Sequence, residues 1–563
     1  METISNTSLF IITIVCCVNS FLLDHSIHVD LIPAKTTSYS LPPGNITEFT
    51  VKNLTQSVTY VTFQIHTQYH NISVSSTANF LQNSTVSGSQ VGFVSRLKVN
   101  DIQATWFVRS NANKTINTVI VASTYTKYDP VPGGCNQVYT LAENPNLHLS
   151  YSKYWTDVTF PLASDGAARG FEPKDCDMTH LDYDLYVAYV KEYDLSEELF
   201  MSTMKTMLTV SDIMENGRKV SSFNSKNHQK PYFTIRSVAG QGAVYAVLVG
   251  QVNVSSYVST ATYSCDIQKR DECQAKDSVF DIIIVLFCGA AGLFLCFVGH
   301  RFFKTELFIL GFVAFFLIFY IIMVTYSDMM DAVMLGISVV LGIVGGLLYF
   351  LLWFFVGFPV ISVLFGSLVA GYVFSSVLFF TPFGNLSYWQ TNFNYGMTFT
   401  CGVLIVPGIL ICFTKTLNIL TCTFVGSYGV VVCIDYFLHS SLKYIILNSI
   451  RHSTVPGYLS VLVVTPFEVN DIILSCVWVI LFVVGSVFQF SQHKGRAPFP
   501  PCPYKKMFKR PRQELSSPQL ISHSALRPED QRSEERQTLL SNEPDIHSTD
   551  YQSISPSGIN RPA

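Results

Sequence analysis

Apolar and polar positions divide the chain at about residue 278. Before that point the hydrophobic residues are scattered, and several short runs alternate or cluster at strand length. Val58–Ile65, Val91–Val99, Thr105–Val108 and Thr118–Tyr125 predict β-strands bounded by Asn and Ser clusters. Further strand-like runs are His148–Tyr151, Val158–Leu162 and Ala243–Val252, and Ser196–Leu208 carries Met and Leu at helical spacing behind a Ser cap. After residue 278 the pattern changes to long apolar runs: Val279–Gly299, Leu307–Tyr326, Ala332–Trp353, Phe358–Phe380, Met397–Phe413, Ile419–Leu438 and Ile472–Phe490. At 1.5 Å per residue each covers roughly 25–35 Å, the hydrocarbon thickness of a bilayer. The predicted architecture is therefore a multi-domain membrane protein. It has a β-sandwich-like region of two units, an all-α seven-helix bundle over 278–490, and a polar tail over 491–563 that is disordered by composition.

The two β units cover 21–130 and 131–277, and Asp129-Pro130-Val131-Pro132-Gly133-Gly134 forms the turn between them. Residues 1–20 read as a signal peptide: Leu9–Val18 is too short to span, and Val18-Asn19-Ser20 offers a small-residue exit. Six N-x-[ST] sequons, at Asn45, Asn53, Asn71, Asn83, Asn113 and Asn253, agree with passage through the secretory pathway, and Asn385 adds a seventh between spans. Because five lie in the first unit, sugar would coat it and leave the second freer to dock an unidentified luminal protein. Cys135, Cys176, Cys265 and Cys273 suit disulfides in an oxidising compartment. Four cysteines allow three pairings, of which sequence order favours Cys135–Cys176 and Cys265–Cys273.

Charge sets an orientation. Loops on one side and the tail hold Arg301, Lys304, Lys415, Lys494, Arg496, Lys505, Lys506, Lys509 and Arg510, against Lys269, Arg270, Lys276, Lys443 and Arg451 on the other. This excess places the N-terminus outside and the C-terminus in the cytosol. With 13% charged residues and a net charge of −3, no basic field exists for nucleic acid. Small residues at Gly342/Gly346, at Ser362/Gly366/Ala370, and at Cys422, Gly426, Gly429 and Cys433 mark faces for close helix contact. The third and fourth spans are expected to form a tight hairpin, and Pro407 to kink the fifth. Ionisable groups in the spans are few. Asp281 sits at a helix start, Glu306 belongs to a turn beside Arg301 and Lys304, and Asp435 lies near the outer end of the sixth span. Asp435 reads as an interfacial group; alternatively it binds a cation or pairs with Lys443 or Arg451.

No chemistry of an enzyme emerges. His300, His439 and His452 flank spans on opposite sides and do not converge on a metal, and no catalytic triad or phosphate loop is present, so neither catalysis nor a cofactor is expected. The third span ends Leu351-Leu352-Trp353-Phe354-Phe355 and the seventh ends Val487-Phe488-Gln489-Phe490, which lack the signatures of G-protein-coupled receptors. Longer strings are more specific. Asp129-Pro130-Val131-Pro132-Gly133-Gly134-Cys135-Asn136, Gly299-His300-Arg301-Phe302-Phe303-Lys304-Thr305-Glu306-Leu307-Phe308, Phe379-Phe380-Thr381-Pro382-Phe383-Gly384-Asn385-Leu386, and Leu417-Asn418-Ile419-Leu420-Thr421-Cys422 with Gly426-Ser427-Tyr428 resemble the transmembrane 7 superfamily member 3 family. The membrane part is also similar to the transmembrane protein 198 group. The resemblance implies a non-enzymatic glycoprotein of the plasma membrane, tied to cell survival, damping of secretory stress and insulin secretion. It supplies no ligand and no binding residues.

In the tail, Glu535 with Leu539 and Leu540 has the acidic-dileucine form, and Tyr551 with Ile554 the Tyr-x-x-apolar form. Both are read by clathrin adaptors and point to endosomal or lysosomal traffic. The functional expectation is a receptor-like or adaptor protein whose partners are the lipid bilayer, a luminal protein and clathrin adaptors. The alternative is a transporter or channel subunit with Asp435 on its path.

Overall fold

The computed structural model describes residues 27–225, 231–274, 279–327, 329–495, 499–500 and 504. The expected signal peptide and the sorting residues Glu535, Leu539, Leu540, Tyr551 and Ile554 lie outside these.

The first β unit contains β1 (Ile27–Leu31), β2 (Thr37–Leu41), β3 (Ile46–Val51), β4 (Val58–His66), β5 (Ile72–Ser75), β6 (Thr85–Gly88), β7 (Gln90–Arg96), β8 (Ala104–Ser110) and β9 (Ile116–Thr126). They form two sheets, β1-β3-β8-β5-β6 and β2-β9-β4-β7. Alternation explains the sandwich. Val61, Phe63 and Ile65 of β4 point inward to Phe49, Trp106 and Ile120, and the Phe63 and Trp106 rings stack at 4.9 Å. The second unit contains β10 (His148–Tyr151), β11 (Trp155–Thr159), β12 (Asp182–Tyr189), β13 (Arg218–Asn224), β14 (Tyr232–Arg236), β15 (Ala243–Val249), β16 (Ser255–Ser256) and β17 (Thr260–Thr262). Here β10-β11-β14 faces β13-β12-β15-β16, with β17 beside β15. The disulfides are Cys135–Cys176 and Cys265–Cys273.

Two short helices, α1 (Glu197–Lys205) and α2 (Val210–Asn216), follow β12. The expected cap at Ser196 is not made: its hydroxyl caps nothing, whereas Thr209 does accept from the Asp212 N–H to start α2. Phe200, Met201 and Met204 of α1 pack with Val119 and Val121 of β9 and Val244, Ala246 and Leu248 of β15, so the two β units share an apolar seam. Arg169 reinforces it by donating to the carbonyls of Thr55, Val58 and Asp101.

The helical region contains α3 (Val279–Val298), α4 (Phe303–Tyr326), α5 (Asp331–Val356), α6 (Pro359–Phe380), α7 (Asn392–Leu410), α8 (Thr414–Leu438), a shorter α9 (Tyr444–Thr454) and α10 (Val469–Gln492). Where seven separate spans were expected, five helical segments among the described residues are long and apolar enough to cross a membrane, and two of these are 48 and 47 residues long. The 3₁₀ turns Gly299–Phe302 and Ile411–Phe413 interrupt them.

The small-residue stripe of α8 faces α3. A Cβ built on Gly426 would meet the Cys296 N and Gly292 O atoms at 2.6 and 2.7 Å, and Gly289 lies against Cys433. Gly342 and Gly346 receive Phe312, Phe316 and Phe308 of α4 in the same way. The α5–α6 connection is short, with Gly357 in the left-handed region at φ 67°. The expected hairpin contact is limited: α5 packs chiefly on α4, and α6 on α7, because the aromatic face of α4 fits the glycines of α5. Pro407 lies inside α7, one turn before the 3₁₀ break.

Gly426→Ala should lower stability in detergent by about 1–3 kcal/mol, because backbone atoms cannot yield to the methyl. Gly336→Ala, with nothing within 4 Å of its Cβ, should be neutral or slightly stabilising. Thermal unfolding of the full chain compares the two.

Candidate functional site: the junction of the β and helical regions

The extended segment between α9 and α10 joins the two regions. Leu462 N donates to Thr234 O and Arg236 N donates to Leu462 O, both at 2.9 Å, so the segment pairs in parallel with β14. On the next residue, Asn385 closes the other edge: its Nδ2 donates to Val463 O at 2.9 Å and its Oδ1 accepts from Val463 N at 2.8 Å. Val464 enters the core of the second β unit, Tyr189 OH donates to Val464 O at 2.9 Å, and an Arg218 Nη1 donates to Thr465 O at 2.8 Å. Main-chain pairing of this kind fixes register, and alternate side chains provide the anchor.

Beside this segment lies a buried ionic contact. Glu192, just after β12, accepts from Lys443 Nζ at 3.1 Å and from Tyr444 OH at 2.8 Å. Burial, followed by the Glu192 charge, holds the Tyr444 phenol well above its ordinary range, so it remains a donor. Two carboxylates shape the turn that presents Lys443. Asp435 accepts from the N–H groups of Leu442 and Lys443 at 3.2 and 2.9 Å, and Asp471 accepts from Ser441 N at 2.6 Å and from Glu468 N at 3.0 Å. Asp435 is thus fully buried rather than interfacial, and it takes the backbone of Lys443, not its ammonium. The Cys265–Cys273 loop supports the same place: Gly240, at φ 85°, sits between Cys273 O and the Tyr193 ring, which packs on His439.

A second polar cluster occupies the opposite ends of the helices. Glu306, expected in a turn beside Arg301 and Lys304, lies instead in the first turn of α4 and is fully buried. Asn418 Nδ2 donates to Glu306 Oε2 at 3.0 Å and approaches His300 Nδ1 at 2.9 Å. Gln489 Nε2 donates to the carbonyls of Leu295 and Cys296, and its Oε1 accepts from His300 N. His300, His439 and His452 lie apart, and no metal-binding group of three His, Cys, Asp or Glu side chains forms among the described residues. Asp281 lies in the first turn of α3. Of the sequons, Asn45, Asn53, Asn71, Asn83, Asn113 and Asn253 are exposed, whereas Asn385 is half-buried and engaged at Val463. Sequence reasoning missed Arg236, Glu192, Tyr444 and Asn418. Only the short apolar run Val461-Leu462-Val463-Val464 could have signalled a strand.

Between the β units, Thr62, Gln64 and His66 lie on the β4 face opposite Phe63, beside the seam. Thr62 Oγ1, both Gln64 amide atoms and both His66 ring nitrogens have no hydrogen-bond partner there.

This arrangement defines a membrane protein: two immunoglobulin-like domains coupled to an apolar helical region. Family models match 28–125 as the TM7SF3-like N-terminal immunoglobulin-like domain, 130–268 as the TM7SF3-like second immunoglobulin-like domain, and 285–490 as a TM7S3/TM198-like domain. The chain belongs to the transmembrane 7 superfamily member 3 family. Transmembrane 7 superfamily member 3 of Mus musculus is 34% identical over 482 residues, covering 84% of this chain and 85% of the relative. The proteins of that name from Rattus norvegicus and Homo sapiens are each 34% identical over 469 residues, covering 81% of this chain and 83% and 82% of theirs.

His66 supplies a pH prediction. Burial alone lowers its pKa from 6.5 to about 3, so the closed seam binds fewer protons than an opened one. Stability of the seam is therefore full above pH 6.5 and declines as pH falls toward 3, by about 2 kcal/mol at pH 5. His66→Phe should flatten this slope in thermal unfolding of the full chain between pH 7 and pH 5.

Proposed function

We propose that the protein is a receptor-like or adaptor membrane glycoprotein that transmits the state of its immunoglobulin-like domains to a seven-crossing helical bundle. The observation that carries this reading is the extended segment Val461–Thr465, which bridges to β14 at Leu462, sends Val464 into the core of a β unit and is also the lead-in to α10. A ligand that moves the second immunoglobulin-like domain acts directly on that helix.

Seven crossings are supported by packing direction. Gly289 meets Cys433 and Gly299 meets Cys422, so α3 runs antiparallel to α8. Glu306 meets Asn418 and Leu310 clusters with Val425, so α4 runs parallel to α8. The chain therefore reverses at Gly299–Phe302. Likewise Gly371 meets Val403 and Gly402 meets Ser375, whereas Val363 clusters with Leu417 and Val373 with Tyr428, which implies a reversal at Ile411–Phe413. Together with the charge excess, this supports a reading in which the β units lie outside, the six exposed sequons are within reach of glycosylation, and the tail is cytosolic. The proposed sites of action are the plasma membrane and endolysosomal membranes, in support of survival under secretory stress. A transporter with Asp435 on its path has less support, because both carboxylate oxygens hold backbone N–H groups.

Lys443→Met leaves Glu192 buried without its cation, which should cost roughly 3–5 kcal/mol of junction stability and expose the β region to protease in the full chain. Adding Glu192→Met should recover much of this loss; a double variant as cleavable as the single one would show that the pair does not hold the junction. Proximity labelling from the second immunoglobulin-like domain tests the receptor reading: a reproducible luminal partner supports it, whereas an ion flux lost in Asp435→Asn favours transport. In the tail, Leu539→Ala with Leu540→Ala should raise the surface fraction by several-fold in a surface biotinylation assay, and an unchanged distribution would remove the adaptor role.

A further inference from the structure

Three cationic side chains gather around the ring of Tyr444. The Arg236 guanidinium lies 4.3 Å from the ring centroid, Lys443 Nζ 5.2 Å and the Arg451 guanidinium 5.8 Å. One carboxylate, Glu192, serves this cluster, and it is occupied by Lys443 and the Tyr444 hydroxyl. Among the described residues, no carboxylate lies within ion-pair distance of Arg236 or Arg451.

Arg236 is 1% exposed, and its Nε, Nη1 and Nη2 have no hydrogen-bond partner. The ring attraction does not substitute for one. It acts over the face of the guanidinium, whereas the N–H donors point outward in its plane. Deprotonation is no escape, since a guanidinium remains charged in proteins. Arg451 Nη1 is also buried without a partner. The surroundings therefore offer unpartnered donors and, at Arg236, a buried positive charge with no counter-ion, whereas Arg451 is half-buried. An unpaired buried charge costs several kcal/mol, which a counter-ion removes.

We propose that this cluster binds a monovalent, monatomic anion of the halide class, held in the plane of the Arg236 guanidinium at the junction. The enclosure excludes larger anions: a phosphate or a partner's carboxylate cannot reach a side chain with 1% exposure without separating the two regions. The nearby Glu192 charge disfavours a divalent ion. Arg236 ends β14, whereas Tyr444 and Arg451 belong to α9, so the site exists only when the β region is docked on the helices. Anion binding then stabilises the docked state by mass action. This holds whether or not the protein is a receptor.

The experiment is thermal unfolding of the full chain in detergent at constant ionic strength, with sodium gluconate replaced stepwise by sodium chloride, bromide or sulfate. The expected result is a saturable rise in midpoint with chloride and bromide, absent with sulfate and abolished in Arg236→Met. Arg451→Gln, which removes one of the charges beside the Tyr444 ring, should weaken the apparent halide affinity several-fold, and it decides the matter if Arg236→Met does not fold. Equal midpoints in gluconate and chloride, equal gains from sulfate, or unchanged halide dependence in a folded Arg236→Met or in Arg451→Gln would overturn the proposal.

Discussion

The hydrogen bonds between Leu462 and β14 tie the architecture together. An edge strand such as β14 presents unpaired N–H and C=O groups, which burial would leave costly. The segment that leads into α10 satisfies them, and it is itself completed on its far edge by Asn385 from the α6–α7 connection. The edge of a β-sheet is thereby covered by a bridge from the helical region. Separating the regions requires breaking main-chain pairing, withdrawing Val464 from a core and parting Glu192 from Lys443 at once. The junction is accordingly cooperative rather than a flexible tether.

Within the helical region, a different constraint applies. Helices in lipid gain little from apolar burial between themselves, so attraction comes from close backbone approach and shared polar contacts. Both occur on α8. Its glycines meet α3, its Thr423 hydroxyl meets Ser486 of α10, and its Ser427 accepts from Trp478. The central place of α8 follows from having small or hydroxylated residues on several faces.

Much of this was legible beforehand. Periodicity located the long helices, sequence order favoured the disulfide pairing that the structure contains, and the stripe from Cys422 to Cys433 marked a contact face whose partner, α3, only the structure supplies. What escaped was anything set by distant neighbours. Glu306 looked like part of a turn because Arg301 and Lys304 adjoin it, yet helical phase turns it inward toward Asn418. Asp435 looked interfacial because it lies near a helix end, but the returning chain covers it. Arg236 and Glu192 carried no signal, since a charged residue beside a strand is ordinarily solvated. The bridge at Leu462 was hidden because its partner, Ile235, lies more than two hundred residues away.

Helix α8 holds Asp435 near one end and Asn418 near the other, about 26 Å apart along a continuous hydrogen-bonded rod. The first residue shapes the turn that grips Glu192; the second bonds to Glu306 and His300. As long as that helix stays intact, the two ends share one set of rigid-body motions. A tilt imposed at the junction must strain or release the contact at Glu306, with no relay of intervening side chains needed to carry it across the bilayer.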